Sequence, residues 1–172
     1  MSYLRFEHED ILSEHGRPYL VIKNTYQVGH IFGWKSGVAF DADEIASLPH
    51  PIEISFSRRY GYKGPLPDWI DIGIPILSVR LHEELIKAGV TTLQTYSAVL
   101  TNPADAERVN CLAFNIAAKH KLADATDEAP LPRLFRQEEN VNSVVVHPDI
   151  QAALSAAGFN RLTYRQPYST NH

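Results

Sequence analysis

The chain has 172 residues, with 44% hydrophobic and 21% charged side chains and a formal net charge of −4. That size suits one domain (1–172) able to bury roughly 70% of its unfolded surface. One cysteine, Cys111, excludes an internal disulfide. No clustered Lys and Arg mark a nucleic-acid footprint, and no run of apolar residues is long enough to cross a membrane.

The first sixteen residues, MSYLRFEHEDILSEHG, carry charges every few positions and lack the apolar stretch of a secretory signal, so a cytoplasmic protein is expected. Tyr19–Lys23 (YLVIK), opened by Pro18 and closed by Asn24, reads as a strand. Glycines at 29, 33 and 37 punctuate Ile31–Phe32 and Val38–Phe40, which suggests short strands joined by tight turns. Asp41 to Leu48 has the form of a single helical turn, with Asp41 as its cap and Pro49 and Pro51 as its stop. Ile52, Ile54 and Phe56 alternate with polar neighbours, the two-residue period of a strand with one buried face.

Residues 58–67 (RRYGYKGPLP) are too rich in Gly, Pro and charge for an element interior. Their Arg58, Tyr60 and Tyr62 are of the types favoured at protein contacts, and they equally suit a loop folded back on the core. A loop at 66–77 leads to a helix capped by Ser78. Its apolar stripe is Leu81, Leu85 and Ala88 with Ile86 beside it, and Gly89 closes it before a strand.

Residues 103–120 support two readings. Val109, Leu112, Ala113, Ile116 and Ala117 fit helical spacing after Pro103. Leu112, Phe114 and Ile116 fit strand alternation, and only the strand explains Phe114. Arg133 and Arg136 in LPRLFR (131–136) either grip a carboxylate or phosphate or fix the approach to the next strand. Val141–His147 is β-branched and strand-like. Pro148 opens a helix with Ile150, Ala153, Leu154 and Ala157 on one face, Asp149 complements its dipole and Gly158 ends it. Leu162–Arg165 is a last strand before a frayed tail. The sum is an α+β single domain with a mixed, mostly antiparallel sheet and two principal amphipathic helices.

Chemistry-bearing motifs are missing where they would be sought. His82-Glu83 begins like a zincin helix, but position 86 is Ile, so the second ligand fails. His8, Glu9, Asp10 and His15 are close in sequence but lie in a polar terminal segment without a rigid support for ligands. GWKSG (33–37) is neither a nucleophile elbow nor a phosphate loop. Cys111, flanked by Asn110 and Leu112, reads as a small buried hydrophobe. No catalytic, cofactor or metal residues are therefore assigned.

Residues 1–86 hold twelve acidic and eight basic side chains (−4), whereas 87–172 hold eight of each. An acidic N-terminal half suits a basic protein partner through electrostatic complementarity. The contact set expected from residue type is Asp41, Asp43 and Glu44 with Arg58, Tyr60 and Tyr62.

The run 66–100 (LPDWIDIGIPILSVRLHEELIKAGVTTLQTYSAVL), with FNIAAKHKLADA (114–125), LPRLFR (131–136) and VVVHPDIQAALSAAGF (144–159), resembles the bacterial immunity-protein family numbered eleven in classifications of polymorphic toxins. The resemblance spans roughly the last two thirds of the chain and favours a central strand near 109–116. It implies an antitoxin that binds and neutralises a cognate secreted toxin of interbacterial competition, such as those delivered by type VI secretion. No nucleic acid, membrane or cofactor enters that reading. A small hydrolase or transferase with an unfamiliar site is the alternative, and a homodimer formed at a sheet edge is a third possibility.

Overall fold

Two long alternating segments form the centre of the computed structural model, which describes residues 3–7, 33–56, 66–102, 106–124 and 130–167. β5 (Leu93–Asn102) and β6 (Glu107–Ile116) pair antiparallel from Leu93↔Ile116 to Asn102↔Glu107. Alternation sorts β6 cleanly. Cys111 and Ala113 enter one core, and Phe114 and Ile116 enter another on the opposite face. The strand reading of 107–116 therefore prevails over the helical one, with Phe114 fully buried as its alternation requires.

β2 (Ile52–Ser55) lies parallel to β5, and β4 (Ile76–Leu77) lies antiparallel to β6. β3 (Trp69–Ile70) pairs with β4, completing the order β2-β5-β6-β4-β3. The stretch 66–77, expected to be a loop, thus carries two short strands.

A second five-stranded sheet runs β10-β1-β9-β8-β7. Its strands are β1 (Leu4–Glu7), β7 (Lys119–His120), β8 (Leu134–Gln137), β9 (Asn140–Val146) and β10 (Thr163–Arg165). The α+β class holds, with the strands divided between two sheets. Pairing is antiparallel except at β2–β5 and β7–β8.

Three α-helices are present among the described residues: α1 (Ala42–Ser47), α2 (Val79–Lys87) and α3 (Pro148–Ala156). In α2 the Leu81 N–H donates to Ser78 Oγ at 3.1 Å, and Gly89 ends the helix with φ +83°, a conformation that costs glycine nothing. Ser78 Oγ also donates to Asp68 Oδ1 at 2.6 Å, which ties the helix start to the turn before β3. Leu81 and Leu85 are fully buried, while Ile86 is 47% exposed, so the buried stripe is narrow.

α3 begins at Pro148, whose missing N–H is no loss in a first turn. Its cap is His147, whose Nδ1 accepts from the Asp149 N–H at 3.2 Å. Arg80 of α2 donates to the Ala157 carbonyl at 2.5 Å and sits 4.2 Å over the Phe159 ring, joining the two helices.

The larger core lies where α2, α3 and the second sheet meet one face of the first, around Phe6, Trp69, Phe114, Leu134 and Val146. The smaller core covers the opposite face of the first sheet, around Trp34, Ile52, Ile70, Tyr96 and Ala113. Adjacent Trp69 and Ile70 serve different cores, as the period of a strand dictates.

Val38–Phe40, expected as a strand, joins no ladder. Its backbone is bonded instead to the side chains of Gln94 and Asn115, which displaces the expected strand pairing. The strands expected at Tyr19–Lys23 and Ile31–Phe32 lie outside the described residues. Among the described residues no helix is long and apolar enough to cross a membrane.

Candidate functional site

The acidic residues singled out by sequence gather on the first turn of α1. Asp41 adopts extended backbone (φ −78°, ψ 176°), and its Oδ1 accepts from the N–H groups of Asp43 at 2.9 Å and Glu44 at 2.8 Å. Glu44 Oε2 in turn accepts from the Asp41 N–H at 2.9 Å. This is a reciprocal capping box, and it orders two exposed carboxylates on the first turn of α1. The cap does not use the carboxylate of Asp43. All three acids are exposed.

The segment 33–56 carries Asp41, Asp43, Glu44 and Glu53 against one basic residue, Lys35. The Lys35 ammonium turns inward, donating to the Asp71 carbonyl at 2.7 Å. Glu53 pairs with Arg108 at 3.2 Å, an exposed bridge that holds little energy. Burial and, secondarily, the charge of Glu44 push the Tyr96 phenol above its ordinary value. Val38, three positions before Asp41, is 58% exposed. Arg58, Tyr60 and Tyr62 lie outside the described residues, so three of the six expected contact residues are placed together here.

A second polar cluster lies in the interior. Arg136, 0% exposed, donates from Nη1 to Asp71 Oδ2 at 3.1 Å and from Nη2 to Asp71 Oδ1 at 3.0 Å. Nη1 also reaches the Val141 carbonyl at 2.9 Å. Asp71 follows β3 and Arg136 belongs to β8, so the fork joins the two sheets, with Lys35 Nζ 3.6 Å from Asp71 Oδ1. The carboxylate that Arg136 grips is thus the chain's own, 65 positions away. Sequence reading missed Asp71 and Lys35, because nothing local marks a partner so distant. Arg133 donates to the Ala88 carbonyl at 3.0 Å, beyond the end of α2, and its own carbonyl accepts the His147 N–H at 2.8 Å. Both arginines therefore fix the scaffold around β8 and β9.

Among the described residues no three His, Cys, Asp or Glu side chains gather as a metal cage. His8, Glu9, Asp10 and His15 lie outside the described residues. Cys111 is buried, and burial pushes its thiol up to about 11, away from the thiolate a nucleophile needs. Trp34 and Trp69 are core residues, Trp69 lying against Phe6 (4.6 Å) and Phe114 (4.3 Å). Compared with known proteins, the chain matches no family model and no curated sequence.

Proposed function

We propose that this chain is an immunity protein that binds a cognate secreted antibacterial toxin and neutralises it by covering its active site. The observation that carries the reading is the pose of the α1 acids, ordered by the capping box and exposed to solvent. Carboxylates ordered before binding lose little freedom on contact. A negative surface also accelerates encounter with a basic partner and disfavours acidic ones. Inhibition by occlusion needs no chemistry, only a rigid surface of roughly 800 Å² per partner with a few buried anchors. The resemblance of 66–159 to immunity proteins agrees with this use.

The partner that fits best is a toxin with a basic, nucleic-acid- or nucleotide-binding face, acting in the cytosol. The antitoxin then works in the cytoplasm, where it meets that toxin. The test is co-purification with the product of the adjacent reading frame, followed by charge reversal (Asp41→Lys, Asp43→Lys and Glu44→Lys together). Because the triple variant also removes the cap, Asp43→Lys alone serves as the cap-preserving control. Each is expected to slow association, the triple variant by about tenfold or more at low salt. Unchanged affinity at low salt in both variants removes this surface from the interface.

A further inference from the structure

The segment from Val38 to Leu48 is attached to the molecule in a different way from its surroundings. Strands of the sheet beneath it are joined backbone to backbone, whereas Val38–Phe40 is held by two side-chain amides. Gln94 and Asn115 stand opposite one another on β5 and β6. Asn115 Nδ2 donates to the Val38 carbonyl at 2.6 Å and to Gln94 Oε1 at 3.1 Å. Gln94 Oε1 also accepts the Phe40 N–H at 2.8 Å, and Gln94 Nε2 faces the Phe40 carbonyl at 3.5 Å.

Past this point the apolar hold is small. α1 buries none of its own residues fully, half-buried Ile45 packs against the smaller core, and Leu48 enters it at 7% exposure. The flanks are firm, with Trp34 at 1% and Ile52 at 0%. The Phe40 ring meets Trp34 edge-on at 4.9 Å and stacks over Tyr96 at 5.9 Å. An isolated helix this short has no stability of its own in water, so α1 persists only while its tethers do. An amide pair is also suited to release, since both side chains can exchange their bonds for water when the segment lifts.

We infer that Gln94 and Asn115 form a latch for a strap, residues 38–48, which opens as one unit while the β5–β6 ladder stays folded. Local opening with a free energy below that of global unfolding is expected where backbone bonds are few and buried apolar contacts sparse. Because the strap carries Asp41, Asp43 and Glu44, the latch sets how long those acids remain in their presented pose. That consequence rests on the proposed binding role, whereas the latch itself does not. Gln94 and Asn115 are then positioning residues for the interface, touching no partner themselves.

Amide hydrogen exchange by NMR on the full chain, without any partner, tests the inference. The Phe40, Ile45 and Leu48 amides are expected to exchange through a common opening, faster than those of Tyr96, Ala98 and Ala113. Gln94→Met keeps the shape and removes the acceptor, so it should speed the three strap amides by about tenfold and leave the ladder amides unchanged. Gln94→Glu retains the acceptor for the Phe40 N–H but sets a carboxylate oxygen against the Phe40 carbonyl, so its rate should fall between those of the wild type and Gln94→Met. Asp41→Ala, which removes the cap of α1 within the strap, should speed the Ile45 and Leu48 amides as well. The inference is overturned if Phe40 ignores Gln94→Met, if the three amides respond separately, or if the ladder amides accelerate in step with them. None of these outcomes bears on toxin binding, so the two readings stand or fall apart.

Discussion

Asp71 and the acids of α1 are the same chemistry in opposite surroundings. Asp71 lies 8% exposed between two sheets, gripped by both arms of Arg136 and approached by Lys35. Asp41, Asp43 and Glu44 stand in solvent, and among the described residues the bonds that order Asp41 and Glu44 come from their own helix turn. An interior charge must bring its counter-charge with it, because the desolvation it suffers is otherwise unmet. A surface charge has no such obligation and stays available to another molecule. The molecule spends its arginine fork inside and leaves its carboxylates outside.

The strongest way to break this contrast is to remove one interior partner. Arg136→Met should destabilise the fold by about 3–5 kcal/mol in chemical denaturation, because Asp71 is left buried with Lys35 alone. A loss under about 1 kcal/mol would place Asp71 in the same class as an exposed acid.

Raising the pH tests the complementary case, buried groups that must remain neutral. Burial pushes Cys111 from 9.0 to about 11 and Tyr164 from 10.0 to about 12. For both, the unfolded chain releases its proton first, so stability is constant below pH 9 and falls as pH rises, Cys111 acting between 9 and 11 and Tyr164 between 10 and 12. Denaturation midpoints taken at intervals from pH 8 to 11 should show that decline, and Cys111→Ala should remove its earlier part. A flat profile for the wild-type protein would mean that these groups are wetter than their burial implies.

The smallest effect belongs to the surface. Asp41→Ala should cost about 1 kcal/mol of stability, the ordinary worth of a helix cap. If thermal unfolding gave it the weight of Arg136→Met, the distinction between interior and exterior charge would fail.

What could be foreseen from the sequence divides along the same line between local and distant. Ser78 and Gly89 bracket α2, and Pro148 and Gly158 bracket α3, because caps and left-handed positions are written within a few residues. Phe114 pointed to a strand at β6 for the same reason, since alternation is a neighbour-to-neighbour property, although the spacing of 103–120 alone left a helix open. The division of the strands into two sheets was not foreseeable, because pairs such as Phe6 with Val144 depend on chain closure over long separations. β3 and β4 were hidden by their length of two residues each. The cap at Asp41 was legible. The fork from Arg136 to Asp71 was visible only as an arginine in search of an acid, and Gln94 and Asn115 offered no local signal at all.

The ten-residue hairpin of β5 and β6 has one more consequence. Its ladder closes across residues 103–106, so the pairing that lies between the two cores is also the least costly large piece of the chain to close. Assembly can start from this short-range ribbon, after which each flanking strand finds a ready template on one side and an apolar wall on the other. The local β5–β6 pairing thus lies between the two cores, whereas long-range pairings such as those of β1 with β9 and β10 belong to the second sheet.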